Sequence, residues 1–343
     1  MLKLDSTQIS RLMHRQLAER GIAAEAAMHV TSALVEASLR GVDSHGVNLF
    51  PHYCASIDAG RINRNPDFHV VEQRDAAAVL DADFGFGHHA GAVAMDMAMD
   101  MARRRGIGAV AVRNSSHFAA AAYYGLRAAR ADLVGMAFTN ADALVKAANS
   151  TVSFFGTNPI CITFPMEGEG PLCLDMATSL VSWNKIVNHR REASLLPDGW
   201  AFDAEGHPTV DPDAARSLSP LGGYKGFGLG LMVEMLCAML ADGPLGADLL
   251  PMYQGLGERR QVSHFFMAID VAAFAPVERV RYRVAEMAAR VRSLPPAAGH
   301  PMIPGDPEKR TEVERRQNGI PMDDAKFAEF LAVSPTFNEA AIA

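Results

Sequence analysis

Residues 81–91, DADFGFGHHAG, decide how this chain is read. Gly85, Gly87 and Ala90 keep the spacing G-x-G-x-x-G/A, which in a strand-turn-helix unit lets the backbone approach a pyrophosphate. The flanks supply that context. AAAVLDA (76–82) is a short apolar run with the texture of a strand, and HHAGAVAMDMAMDMARRRG (88–106) repeats apolar residues at helical spacing. A doubly wound dinucleotide fold also asks for an acidic residue at the end of the next strand, to hold the ribose. Here that strand, IGAVAVRN (107–114), ends in Arg113 and Asn114. An arginine could receive a 2′-phosphate, so two readings stand: a dinucleotide fingerprint, or glycines that only make a tight turn. Short glycine patterns arise often by chance, which favours the turn.

Outward from this stretch the order of elements is that of an α/β protein. Asp5 or Ser6 caps a helix with Ile9, Leu12, Met13 and Leu17 on one stripe, ending at Gly21. A second helix covers 24–40, and a third follows the Ser44-His45-Gly46 turn through FPHYCASIDAG (50–60). AAAAYYGLRAARAD (119–132) reads as a helix and LVGMAFTN (133–140) as a strand, so some parallel pairing is expected. SFFG, ICITFP and PLCLDMA, between 153 and 177, follow one another too closely for helical crossovers, which predicts a sheet that turns mixed. A helix from Lys225 to Leu240, a strand in QVSHFFMAID (261–270) and helices in 277–293, 307–318 and 322–332 complete the chain.

Composition excludes several function classes. With 343 residues and 49% hydrophobic content the chain can fill a sizeable core. A net charge of −7 offers no footprint for nucleic acid. The longest apolar run, GLGLMVEMLCAML, is interrupted by Glu234 and is too short to span a bilayer. The N-terminus lacks the apolar core of a secretory signal, so a cytoplasmic location is expected. Cys54, Cys161, Cys173 and Cys237 sit singly in apolar surroundings and read as buried thiols, with neither disulfide nor zinc spacing. GGYKGFGLG (222–230) has no G-K-[ST], which argues against triphosphate chemistry.

Histidines carry the remaining chemistry. His45, in DSHGVNLF (43–50), and His117, in NSSHFAAAAYY (114–124), each follow a serine in a loop-like setting. A neutral imidazole there can give or take a proton near pH 7; the alternative for each is a hydrogen-bonded structural histidine. His88 and His89 begin a helix. His189, His207, His264 and His300 show no metal-ligand spacing, so no metal site is expected.

Taken jointly and in order, RGVDSHGVN, GRINRNP, DADFGFGHHAG, RRRGIGAVAVRNSSHF, GTNPI, LDMATS, LPDGWAFDAEGHPTVDP, GGYKGFGLGLMVEML and IPGDPE resemble the type 2 malate/L-lactate dehydrogenases. That family includes ureidoglycolate and sulfolactate dehydrogenases, 2,3-diketogulonate reductase and the Δ1-piperideine-2-carboxylate reductases. The resemblance implies an α/β fold that is not Rossmann. A seven-stranded mixed-sheet domain at 71–275 would bind NAD or NADP, beside a helical domain made from 1–70 and 276–343. It also implies a homodimer acting on a small molecule, with no nucleic-acid or membrane partner. GFGHHA then loses its role as a fingerprint.

By the same resemblance, cofactor contacts fall to Asn140, Asp175, Met176, Ala177, Thr178, Lys225, Gly226, Pro304, Gly305 and Asp306. Arg190 and Arg191 could hold a 2′-phosphate or simply end a helix. His117 is the favoured proton carrier with His45 as its partner, and Ser44 binds substrate or orients His45. Asn48, Leu49, Tyr53 and Lys146 complete the substrate set. The family pattern S-H-G-x-x-R places an arginine, facing the substrate carboxylate, where this chain has Leu49. An atypical substrate is therefore expected, with Lys146 either supplying the lost charge or lying solvated in a loop. Three activities remain open: an NAD(P)-dependent oxidoreductase on a 2-oxo or 2-hydroxy acid or related carbonyl, a cyclic ketimine reductase, and a cofactor-binding homologue without turnover.

Overall fold

The computed structural model describes residues 2–333. Helix α1 (Ser6–Glu19) starts where Asp5, rather than Ser6, accepts hydrogen bonds from the amides of Thr7 and Gln8 at 2.9 and 3.0 Å. Two otherwise unpaired donors of the first turn are thereby satisfied. With α2 (Ala24–Leu39) and α3 (Phe50–Asp58) it buries Met13, Leu17, Leu34, Phe50 and Ile57 in one core. Ile320, Met322 and Phe330, from far along the chain, fill the same core. Each such side chain contributes roughly 1.5–3 kcal/mol on burial, so the loop between α2 and α3 is anchored at both ends.

The seven-stranded sheet comprises β1 (His69–Gln73), β2 (Ala77–Asp81), β3 (Ile107–Ser115), β4 (Leu133–Thr139), β5 (Ile160–Phe164), β6 (Leu172–Met176) and β7 (Val262–Asp270). Their spatial order is β1-β2-β3-β7-β4-β5-β6. Within it only β2 and β3 run parallel, joined by α4 (Gly87–Arg105), which lays an alanine- and methionine-rich face on the sheet. β7 enters between β3 and β4, antiparallel to both. That insertion is incompatible with a doubly wound order.

The dinucleotide reading of 85–90 therefore falls, and packing explains the glycines. A Cβ on Gly87 would lie 2.1 Å from the Ser116 carbonyl oxygen, and one on Gly85 2.7 Å from Pro66. Two chain segments cross there with no space for a side chain. Arg113, at the end of the next strand, donates back to Asp81 at 2.9 Å, and Asn114 joins the same oxygen at 2.8 Å.

After α5 (Ala122–Ala129) and β4 to β6, the chain forms α6 (Trp183–Arg191) beside a second sheet of five short strands with its own core around Val145, Phe155, Ile186 and Leu218. α7 (Tyr224–Glu234) is shorter than the sequence pattern predicts, because Met235–Met239 continues as a π-helical turn. Glu234, at the junction, is buried and accepts from Asn158 Nδ2 and the Gly246 amide, both at 2.7 Å. α8 (Val277–Arg292) packs near the β5–β6 edge through Ala288, and α9 (Asp306–Asn318) and α10 (Asp324–Ala332) return to the N-terminal helices. No helix among the described residues is long and apolar enough to cross a membrane.

Candidate active site

The turn from Asp43 to Leu49 is held from three sides. Arg315 of α9 donates to both Asp43 oxygens at 2.6 and 2.9 Å, Ser38 Oγ accepts from the Val47 amide at 3.0 Å, and Asn184 Nδ2 donates to the Ser44 carbonyl at 3.2 Å. Ser44 Oγ lies 2.9 Å from His45 Nδ1. Opposite stands His117, just beyond β3. Its Nδ1 shares a 2.6 Å hydrogen bond with Tyr53 Oη from α3, and its ring faces that of His45 with centroids 5.7 Å apart.

His264, which the sequence left without a role, pins this segment. Its ring nitrogens meet Thr139 Oγ1 at 2.8 Å and Ser115 Oγ at 2.9 Å, and it stacks on Phe118 at 4.6 Å. The residues on either side of His117 are thus tied to the sheet.

His45, His117 and Leu49 border a cavity of about 370 Å³ together with Asn140, Trp183 and Arg260. A second cleft of about 420 Å³ is bordered by the alanine run 119–122, Asp175, Met176, Ala177, Pro304, Gly305 and Arg40. The two meet, since Ser44, His45, Thr157 and Ser182 border both. Both histidines are half-buried and border the cavity. Burial pushes the His45 pKa down to about 4. His117 is pushed well below its ordinary value by burial first and then by the neighbouring His45 and Arg260. Burial likewise raises the Tyr53 phenol. All three groups are neutral at pH 7, so each ring keeps a lone pair able to accept a proton.

The structure brings His45, His117, Ser44 and Leu49 together, with Tyr53 behind His117 as its hydrogen-bond partner. Asn48 lies beside them, its Oδ1 buried without a partner among the described residues. Asp175, Met176, Ala177, Pro304 and Gly305 line the cleft, where Asp175 accepts from the Ala122 amide at 2.7 Å.

The other residues singled out in the sequence lie as follows. Lys146 is turned away, donating to the Gly206 carbonyl at 3.0 Å and lying 4.0 Å over the Phe202 ring, so its charge serves the small sheet. Asn140 borders the histidine cavity instead of the cleft, and its amide is committed to the Ser263 amide, the Pro244 carbonyl and Glu234. Thr178 donates to the Thr157 carbonyl at 3.0 Å, and Asp306 is clamped by Arg292 at 2.5 and 3.0 Å. Lys225 is exposed at the start of α7, while Gly226 packs where a Cβ would lie 2.0 Å from the Leu221 carbonyl; neither borders the cleft. Arg190 pairs with Asp213 at 2.9 Å and Arg191 lies 3.5 Å from Asp323, which fits the end of a helix.

Two cations escaped the sequence reading. Arg260 is only 4% exposed, donates from Nε to the Leu250 carbonyl at 2.8 Å and pairs through Nη2 with Asp142; its Nη1 makes no hydrogen bond among the described residues. In sequence it belongs to GERRQ, a segment that reads as an ordinary polar loop. Arg40, 6% exposed, borders the cleft at the end of α2, 3.8 Å from Glu312.

Comparison with known proteins agrees with this geometry. The malate/L-lactate dehydrogenase family model matches residues 4–330. A malate dehydrogenase of Pyrococcus abyssi is 35% identical over 336 residues, covering 94% of this chain and 91% of that protein. The ureidoglycolate dehydrogenase (NAD(+)) of Escherichia coli K12 is 30% identical over 325 residues, covering 94% and 93%. The crystal structure of malate dehydrogenase from Entamoeba histolytica matches with a TM-score of 0.92 at 30% identity, over 97% of each chain. A family match over nearly the whole length, with relatives at 30–35% identity over more than nine-tenths of each chain, shows that the chain belongs to the malate/L-lactate dehydrogenase family of oxidoreductases.

Proposed function

We propose that this protein transfers a hydride between NAD or NADP and a small 2-hydroxy or 2-oxo acid, whose carboxylate is held by Arg260 instead of an arginine at position 49. The observation that carries this reading is the junction of cleft and cavity at Ser44, His45, Thr157 and Ser182. The cleft fits the cofactor: small alanine side chains offer a flat wall, and Arg40 offers a cation for phosphate. When bound, the nicotinamide supplies or takes up the hydride; the chain must handle the proton. In the oxidation direction neutral His117 accepts the hydroxyl proton at Nε2, while its Nδ1–H donates to Tyr53 Oη. Reduction reverses the transfer. Ser44 holds His45 against the same junction, where it orients the substrate oxygen.

Leu49 offers no donor, and a carboxylate desolvated against it would lack a partner. Arg260 is the buried guanidinium of that cavity, and its unpaired Nη1 supports the assignment. A charge-assisted hydrogen bond contributes about 1.5–3 kcal/mol, which corresponds to about 10- to 100-fold in binding. Arg260→Lys keeps a positive charge beside Asp142 but loses the planar fork. It is expected to raise KM for a 2-oxo acid by about 10-fold or more, with little change for a neutral ketone of similar size. An unchanged KM for the acid would remove Arg260 from substrate binding.

The reading as a whole is tested by following NADH and NADPH oxidation across 2-oxo acids, cyclic imines and neutral ketones. Turnover confined to cyclic imines would favour a ketimine reductase. Cofactor fluorescence with no turnover on any substrate would favour a homologue without dehydrogenase activity. Both cofactors belong in the panel, because relatives are named for NAD(+) and for NADP(+).

We also propose a homodimer. Leu229, Met232, Met235, Met239 and Leu240, along α7 and its π turn, are each 45–54% exposed. A stripe of this kind is expected to be covered by a protein surface. Sedimentation should report a dimer that Met232→Glu weakens; a native monomer at micromolar concentration would overturn the assignment.

A further inference from the structure

Away from the cavity, α2 and the first turn of α4 bring three metal-ligand side chains together. Glu25 and His29 stand four residues apart on α2, on the same face and one turn from each other. His89 projects from α4. One ligand atom from each of the three lies within 4.8 Å of the others. The two imidazoles are nearly parallel, 15° apart with centroids at 5.5 Å, and His89 Nε2 lies 3.7 Å from Glu25 Oε1. His29 Nδ1 is held by Tyr123 Oη at 3.1 Å, which leaves Nε2 free to bind a cation. The Phe68 ring, 4.8 Å from that of His89, limits its rotation.

We propose that Glu25, His29 and His89 form a binding site for one divalent transition-metal ion of the zinc class, separate from the hydride-transfer site. The donor set suits such an ion. Two imidazoles and one carboxylate, with a fourth position open to water, are a frequent zinc environment. Tyr123 takes the part of the outer hydrogen-bond partner that orients a ligating histidine. Tetrahedral bonds of about 2.0–2.1 Å bring donor atoms to about 3.4 Å from one another, so donors up to 4.8 Å apart must close by up to about 1.4 Å. The Glu25 side chain is 68% exposed and can swing inward without disturbing the core. His29 is buried and His89 half-buried, so both rings are largely out of bulk solvent, with Arg127 the neighbouring cation. Arg127 is itself balanced by Asp96, which it meets at 2.5 and 2.7 Å.

The site joins α2 of the N-terminal helices to α4 of the sheet layer. Tyr123 directly follows Ala122 of the cofactor cleft. A bound ion would therefore fasten these two layers beside the cleft, and stability is its direct readout. The test uses the untagged full chain, stripped with a chelator and titrated with Zn²⁺ by calorimetry and with Co²⁺ by visible absorption. The expected result is one equivalent bound per chain, with the intense bands of four-coordinate cobalt. At saturating Zn²⁺ the unfolding midpoint should rise by about 2 °C or more. His89→Ala and Glu25→Gln should abolish both signals, and Glu25→Gln, altering one exposed side chain, keeps the fold intact. Absence of stoichiometric uptake at millimolar metal, or uptake that survives both substitutions, would overturn the proposal.

Discussion

His117→Ala is expected to lower kcat by about 10²- to 10⁴-fold, the usual contribution of a positioned general acid or base, while cofactor affinity changes less than about twofold. His117 borders the histidine cavity but not the cleft proposed for the cofactor, whereas His45 borders both. His45→Ala should consequently disturb cofactor binding as well as turnover, and comparison of the two variants separates proton transfer from positioning. Tyr53→Phe removes the 2.6 Å hydrogen bond that orients the His117 ring while leaving its shape in place. Its kcat should fall between native and His117→Ala, with KM nearly unchanged. Stopped-flow single turnovers at saturating cofactor provide the measurement. Near-native single-turnover rates in His117→Ala would take the proton-handling role from this residue.

The second large effect is acid instability, arising from histidines buried in the neutral form. His88 and His264 are completely buried with pKa values pushed down to about 3, and His29, His45 and His52 to about 4, in each case mainly by burial. Above pH 6.5 these rings are neutral whether the chain is folded or unfolded, and stability is level. Below 6.5 the unfolded chain takes up protons that the folded chain refuses, so stability falls as pH falls toward about 4. His88 and His264 alone remove about 4–5 kcal/mol between pH 6.5 and 4.5, a large part of the 5–15 kcal/mol typical of a folded domain.

Asp175, pushed up to about 6 by burial, and Glu234, also raised by burial, act in the opposite direction and offset part of the loss. Asp81, Glu169 and Asp306, held low by arginine and amide partners, add their own loss at still lower pH. Urea titrations at half-unit steps from pH 7.5 to 4.5 should show midpoints that decline steeply below about 6. His88→Leu should soften the decline, because neither His88 nitrogen has a partner among the described residues, so an apolar replacement leaves no broken hydrogen bond. Midpoints that stay level down to pH 4.5 would contradict this account.

Much of the fold was legible because its signals are local. The spacing of apolar residues placed α1, α2, α4 and α8 within a few residues of their observed ends, and the short gaps between the strands of 153–177 already excluded helical crossovers. His45 and His117 could be singled out by residue type and by their place in loops. The five-stranded sheet was not legible, since its strands are two or three residues long and show no periodicity. The π turn after Glu234 was equally hidden, its sequence being as apolar as a regular helix.

Which distant segments meet was decided only by the tertiary structure. Nothing in QVSHFFMAID states that β7 lies between β3 and β4, yet that placement separates this sheet from a doubly wound one and brings His264 to Ser115 and Phe118, on either side of His117 in sequence. The family resemblance puts an arginine where Leu49 stands and left Lys146 as either a replacement charge or a loop lysine; only the fold shows Arg260 bordering the cavity and Lys146 donating to the Gly206 carbonyl. Glu25 and His29 are neighbours on one helix by their spacing alone, but His89 reaches them only because α4 packs across α2. The physical reason is the same in each case. Periodicity, capping and turn chemistry act between residues a few positions apart and can be read along the chain, whereas long-range pairing follows from the burial of the whole apolar surface, a sum to which no single short stretch holds the answer.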